Sequence, residues 1–336
     1  MQSNKVAKTV WALLTWAIIA TLVVSGCGAQ KPKVYHVGLM SYGKAFTAVG
    51  DGIKEKMTEL GYIEGQNIVY ETRIADEAAD DAEELRLAKE LVDAKVDVIV
   101  AFPSPSVVAA IEATKGTDIP VVFVYYPIEG NALIKSVREP GGNVTGVRYP
   151  GPELMTRRMQ LLHAIAPQVK RVWIGYNATG PNTAVALDAL RPAAAEAGIT
   201  LVEVPAAKIE ELAADLAARD ASDELGIDAI FLMPDSFNTS TDGFAMLSKF
   251  ATEHNLPLVG SLANMVDSAL FVNTIDNKAL GELAAPTIDK VLHGAQAGTL
   301  PVITPDQTLI INNKVAQQLG LTVPEIVLEQ ANKIIK

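Results

Sequence analysis

Side chains able to make or break bonds are few in this chain and stand apart. The four histidines, His36, His163, His254 and His293, form no HExxH pair or other metal-binding spacing. His163 and His293 fall within or at the end of helical stretches, where a solvated or capping imidazole is expected. No GxSxG elbow occurs, and Gly141-Gly142 is wrongly spaced for a GxxxxGK[ST] or GxGxxG phosphate loop. The acidic run Ala75–Glu84 lacks the alternating ligands and turn glycine of a calcium loop. It reads instead as charge on a loop and a helix N-terminus, where carboxylates oppose the dipole. Catalysis, a resident metal and a cofactor are therefore not expected.

The one cysteine, Cys27, cannot form an internal disulfide. Lys5 and Lys8 precede an uncharged, apolar stretch from Thr9 to Gly26, the layout of an export signal. That stretch falls short of the roughly 20 apolar residues of a permanent span. Val24-Ser25-Gly26-Cys27 resembles the bacterial lipobox, in which the thiol is lipidated and the chain is cut just before it. Residues 1–26 are thus expected to be a signal peptide, Cys27 the lipidation site and 27–33 a short tether. Each buried methylene contributes about 0.8 kcal/mol, so two or three acyl chains hold a domain firmly at a membrane. The expected location is extracytoplasmic, on a bacterial membrane. With 39 acidic against 28 basic residues and a net charge of -11, the chain lacks the basic surface that nucleic acid requires.

What remains is recognition chemistry. Aromatics make up 6% of the chain, yet they recur at the ends of apolar runs. Ser41, Tyr42 and Phe46 follow the first run, Phe102 and Ser104 a second, and Tyr125 and Tyr126 a third. Tyr176 and Asn177, Asp235 and Phe237, and Ser261 occupy the matching places later on. Rings with a few hydroxyls and one carboxylate suit a flat, apolar or aromatic ligand held by stacking. Ser104 before Pro105 also reads as a helix N-cap.

The elements that must position them alternate throughout. Val34–Met40 reads as a strand, and Phe46–Leu60 as a helix closed by Gly61. Ile68–Arg73 is a strand, and Asp80–Ala94 a helix with Leu85, Ala88, Leu91 and Val92 on its inner face. Val96–Ala101 and Pro120–Val124 are continuous apolar strands of the kind buried on both faces of a parallel sheet. This βα alternation predicts an α/β fold with helices on both faces of each sheet. In such sheets ligands bind beyond the carboxyl ends of the strands.

The pattern is written twice. VDVIVAFPS (Val96–Ser104) returns as IDAIFLMPDS (Ile227–Ser236), matching Asp97 with Asp228 and Pro103 with Pro234. Pro120 in DIPVVFVYYP matches Pro257 in NLPLVGSLAN, and Gly61 matches Gly198. Two similar Rossmann-like lobes follow, with the ligand loops facing one cleft. The strand Val144–Arg148 is expected to cross between them, with bendable glycines and prolines around it. Lobe 1 is expected to take 34–147 and about 268–304, and lobe 2 148–267 and about 305–336.

The body from Val34 to Val323 resembles the ABC-transporter substrate-binding lipoproteins of the TrpX type. The likeness rests on GIKEKMTELGYIEGQNIVYE (Gly52–Glu71), VDVIVAFPSPS (Val96–Ser106), DIPVVF (Asp118–Phe123), PGGNVTGV (Pro140–Val147) and INNKVAQQLGLTVP (Ile311–Pro324). It implies a type I periplasmic-binding-protein fold, lobes joined by crossover hinge strands, and delivery of a small ligand to a permease with an ATPase subunit. The most similar members bind aromatic amino acids. Asp235 matches an acidic position of the family, whereas Tyr126, Leu262 and Ala263 stand where further acidic residues are usual. An amino acid and a less charged aromatic or apolar metabolite both remain open as ligand. A ligand-sensing lipoprotein of the same fold, feeding a membrane signalling partner, is the alternative function.

Overall fold

The computed structural model describes residues 33–76, 79–130, 133–180 and 182–336. The export segment, Cys27 and all of the tether except Lys33 lie outside the described residues. The unit Tyr35–Lys336 carries two sheets. Lobe 1 has five parallel strands in the order β2-β1-β3-β4-β5. These are β1 (Tyr35–Tyr42), β2 (Ile68–Ala75), β3 (Val98–Phe102), β4 (Val121–Tyr126) and β5 (Val144–Arg148). Helices α1 (Thr47–Glu59), α2 (Asp81–Asp93) and α3 (Ser104–Ala113) connect the first four strands. Every residue of β3 is buried, which is why it reads as a continuous apolar run rather than an alternation.

Lobe 2 begins with α4 (Gly151–Ile165), β6 (Arg171–Asn177), α5 (Thr183–Glu196), β7 (Thr200–Ala206) and α6 (Ile209–Asp220). It continues through β8 (Ala229–Phe231), α7 (Ser236–Thr239), α8 (Thr241–Glu253), β9 (Leu258–Gly260) and β10 (Phe271–Thr274). Read from β7, its sheet runs β7-β6-β8-β9-β10, the lobe 1 order repeated. Two more strands, β11 (Thr308–Asn312) and β12 (Lys333–Ile335), extend the β10 edge, and β11 pairs antiparallel with β10.

The repeat is geometric as well as textual. Asp97 accepts from the His36 backbone N–H at 2.7 Å, and Asp228 accepts from that of Arg171 at 2.7 Å. Each carboxylate thus satisfies the entry of its lobe's first strand, where a backbone donor would otherwise be orphaned. Ile99 N–H donates to Pro120 O and Ile230 N–H to Pro257 O, the same step in both lobes. Gly61 and Gly198 both take positive φ, 95° and 66°, closing the preceding helix at a position that strongly favours glycine.

Asp228 also accepts from the Lys170 N–H and the Arg171 guanidinium. Burial alone would raise its pKa, but these donors outweigh burial and hold it below the usual aspartate range. Asp228→Ala is expected to lower stability by about 2 kcal/mol near neutral pH. A depressed pKa means the contribution is present above the unfolded value of about 3.9 and is lost as pH falls through the native value. Urea unfolding should therefore show the variant's deficit in full at about pH 6 and narrowing below about pH 4. A deficit independent of pH would refute this assignment.

The chain passes between lobes three times. The first passage follows β5 at Tyr149-Pro150, and the second follows β10 at Ile275-Asp276. The third follows Ile303, which pairs with Val147 beside β5 before the chain enters β11. The expected boundary near 268 moves to about 275, because β10 is the counterpart of β5 and belongs to the second sheet. Helix α9 (Asn277–Leu292) then returns to pack on α1 of lobe 1. Arg148, only 8% exposed, gathers the first and third passages. It pairs with Glu129 and Glu153 and donates to Thr304 Oγ at 2.9 Å.

Candidate functional site

The carboxyl ends of β3, β4, β6 and β8 bring loops of both lobes around one cavity of about 360 Å³. Pro103 and Pro234, the matched prolines of the repeat, both line it. Its aromatic wall is Tyr42, Phe46, Tyr125 and Tyr149. Tyr125 stacks on Tyr149 with centroids 4.7 Å apart and planes 29° from parallel. Phe46 meets Tyr125 edge-on at 5.1 Å. Both arrangements are the favoured ones for ring quadrupoles.

Tyr125 reaches this place through an irregularity of β4. Val124 pairs with Val147 and Tyr126 with Arg148, so Tyr125 is an extra residue with φ 58°. Such a bulge re-aims one side chain and breaks the strict alternation of sides. Burial raises the pKa of Tyr125 and of Tyr149, so both hydroxyls stay neutral at working pH. Beyond Tyr149 lies Arg158 of α4, fully buried. Its Nε donates to Asn273 O at 2.7 Å, and Nη2 donates to Ser261 O at 3.1 Å. Burial lowers its pKa, while the two tyrosines pull the other way. This guanidinium ties lobe 2 to the hinge tyrosine that lines the cavity.

The opposite wall comes from lobe 2: Asn177, Asn182, Thr183 and Asp235. Asp235 is the N-cap of α7, and its Oδ1 accepts from the backbone N–H of Phe237 and Asn238 and from the Asn238 amide. Its Oδ2 accepts from the Asn177 N–H at 3.1 Å. The carboxylate is a structural pin of the wall, with both oxygens engaged.

A model of the ABC transporter substrate binding protein family matches residues 37–335. This chain belongs to that family. It is similar to the tyrosine-binding protein of Clostridioides difficile (strain R20291), with 26% identity over 327 residues, 92% of this chain and 91% of the relative. A Streptococcus pneumonia ABC domain in complex with L-Trp shares the fold at a TM-score of 0.75 and 26% identity, covering 90% of this chain and 100% of that one. A ligand-free, open substrate-binding protein with adhesive properties from Clostridium difficile gives a TM-score of 0.72 and 25% identity, with the same coverage. The expected family and the two-lobed fold are thereby established.

Within this substrate-binding protein the cavity unites six of the expected residues: Tyr42, Phe46, Ser104, Tyr125, Asn177 and Asp235. Six others stand apart from it. Ser41 donates to Gly43 O and, with Phe102, lines a smaller cavity of about 110 Å³. Tyr176 is buried with its hydroxyl donating to Glu203, and the Phe237 ring packs into the lobe 2 core. Ser261 is buried against Met265. Tyr126 packs on Phe123 and lines a neighbouring chamber. At a strand end successive side chains point to opposite sides, so within Tyr176-Asn177 only one can face the cleft. Ser104 is the first residue of α3 rather than its cap, because Pro103 holds the N-cap place. Tyr149, Asn182 and Thr183 were missed. Tyr149 has a signal in hindsight, a ring inside the glycine- and proline-rich crossing; the two lobe 2 residues carry none. Among the described residues no group of histidine, cysteine and acidic side chains could hold a metal ion, and no helix is long and apolar enough to cross a membrane.

Proposed function

We propose that this chain is the extracytoplasmic receptor of an ABC importer, tethered through lipid on Cys27, that closes its lobes on a small aromatic ligand of the amino-acid class. The observation that carries this reading is the stacked Tyr125–Tyr149 pair with Phe46 at its edge, set between two repeated lobes. The names of two relatives, a tyrosine-binding protein and a domain in complex with L-Trp, point to the same ligand class. Closure follows if the ligand contacts both walls, since it then favours the closed state by its differential affinity. A tether keeps the receptor at high effective concentration near its permease. The expected result is a rise in thermal stability with L-tyrosine or L-tryptophan, worth about 2.7 kcal/mol at a hundred times the dissociation constant. No shift with any aromatic amino acid in a panel that also holds nucleobases and aromatic acids would overturn the ligand class. Release of a Cys27→Ser variant from the membrane tests the anchor separately.

A further inference from the structure

We propose that Gly130 of lobe 1 and Val185 of lobe 2 form the contact on which the lobes shut, and that Arg148 is the positioning residue that holds the lobe 1 side of it. This inference rests on the reading of the aromatic cavity as the ligand site. Pro127, just past β4, lines that cavity from lobe 1, while Asn182, Thr183 and Ala186 at the start of α5 line it from lobe 2. Three residues beyond Pro127 the lobes come together. A Cβ placed on Gly130 would lie 3.1 Å from Val185 Cγ2, tighter than an ordinary contact. Gly130 also holds φ at 72°, where most side chains are strained. Its backbone thus approaches the half-buried Val185 more closely than a larger residue would allow. Val185 is the neighbour of Ala186 in the cavity wall, so the contact stands beside the ligand space.

The residue before Gly130 ties this stretch to the hinge. Glu129 pairs with Arg148, the last residue of β5, whose side chain is 10% exposed. The same guanidinium pairs with Glu153 in the first turn of α4, and its Nε donates to Thr304 Oγ in the third passage. One planar fork therefore holds a lobe 1 carboxylate, a lobe 2 carboxylate and a second crossing at once, which the point charge of a lysine does not do. Without it the two carboxylates would repel, and Glu129 would release Gly130 from its place opposite α5. The group that spans the first crossing thus also sets the closing contact. A contact outside the cavity wall adds to the shut state whichever ligand is inside, so it changes every affinity by one factor. A residue of the wall instead discriminates between ligands.

The test is calorimetric titration of the full chain with L-tyrosine and L-tryptophan, joined to dissociation rates by stopped flow. Val185→Trp overfills the gap under Gly130 and is expected to weaken both amino acids by the same factor, about tenfold, through faster dissociation. Glu129→Gln gives up the charged partner of Arg148 and is expected to weaken both by about threefold. Because both act through one contact, the double variant should bind about as Val185→Trp alone does, rather than about thirtyfold below wild type. Should Val185→Trp fail to fold by circular dichroism, Gly130→Asn, a residue type that tolerates positive φ, fills the same gap from lobe 1 and is expected to give the same equal loss. Wild-type affinity in the folded variant, or a loss for one amino acid alone, would overturn the closing contact while leaving the aromatic reading intact. Losses that multiply in the double variant would overturn the role of Arg148. If neither amino acid binds wild type, the aromatic reading itself fails and the closing contact falls with it.

Discussion

Gly52→Ala is expected to destabilise lobe 1 by about 3 kcal/mol, while Gly50→Ala, two residues earlier in the same helix, is expected to be neutral or stabilising by up to about 1 kcal/mol. The opposition comes from what each new methyl would meet. A Cβ at Gly52 would lie 2.1 Å from the backbone oxygen of Lys278, and backbone cannot rotate aside. The reverse holds across the contact, where a Cβ at Gly281 would lie 2.0 Å from Val49 O. These paired glycines let α9, arriving from lobe 2, seat closely on α1. At Gly50 the nearest atom to a new Cβ is Phe102 Cζ at 3.7 Å, an ordinary contact. There the higher helix propensity of alanine acts unopposed. Urea unfolding with an unchanged slope is the measurement. Equal midpoints for the two variants would show that the α1–α9 contact is looser than described. Because α9 re-enters lobe 1 directly from β10 of lobe 2, the larger loss should also slacken the hinge.

How much of this was legible beforehand depended on the kind of signal. Strands buried on both faces must be apolar throughout, so β3 and β4 announced themselves, and so did the matched prolines at the cleft. The repeat of Asp97 and Asp228 was visible as letters, and the structure supplies its cause in the strand entries they satisfy. The choice between adjacent residues at a strand end was not legible. It turns on one bulged position at Tyr125 and on alternation at Tyr176-Asn177, neither of which composition records. Glu84, buried and accepting from Ser106 Oγ, was hidden in a different way. In a run of acidic letters nothing marks which one turns inward, and the inner face of α2 proves to be Glu84, Leu87, Ala88 and Leu91, with Leu85 and Val92 only half-buried. A helix period fixed on apolar letters passes over a buried carboxylate.

The cavity and the hinge are one piece of structure. Tyr149 is at once the first residue beyond β5, the stacking partner of Tyr125 and the neighbour of Arg158. Arg158 in turn grips the backbone at Ser261 and at Asn273, close to the second crossing. On the proposed function, a ring seated on Tyr125 and Tyr149 would touch the segment that joins the lobes, so ligand contact and closure would need no separate relay.

Tyr125→Ala should accordingly show the largest loss of binding of any single change in the cavity wall. The substitution removes the ring that meets both Phe46 and Tyr149, and truncating a central, desolvated aromatic costs about 2 kcal/mol or more, which is about thirtyfold in affinity. Tyr125→Phe keeps the ring and both ring contacts, and its neutral hydroxyl carries no charge to lose, so affinity is expected within about threefold of wild type. Both substitutions keep an L residue with a Cβ at this left-handed position, which separates the effect of the ring from that of the bulge. Calorimetry with L-tryptophan and L-tyrosine reads the difference, with circular dichroism confirming that both variants fold. If Tyr125→Ala bound these ligands as wild type does, the aromatic wall would not be the ligand's seat. If alanine and phenylalanine variants lost affinity equally, the hydroxyl rather than the ring would be the recognising group.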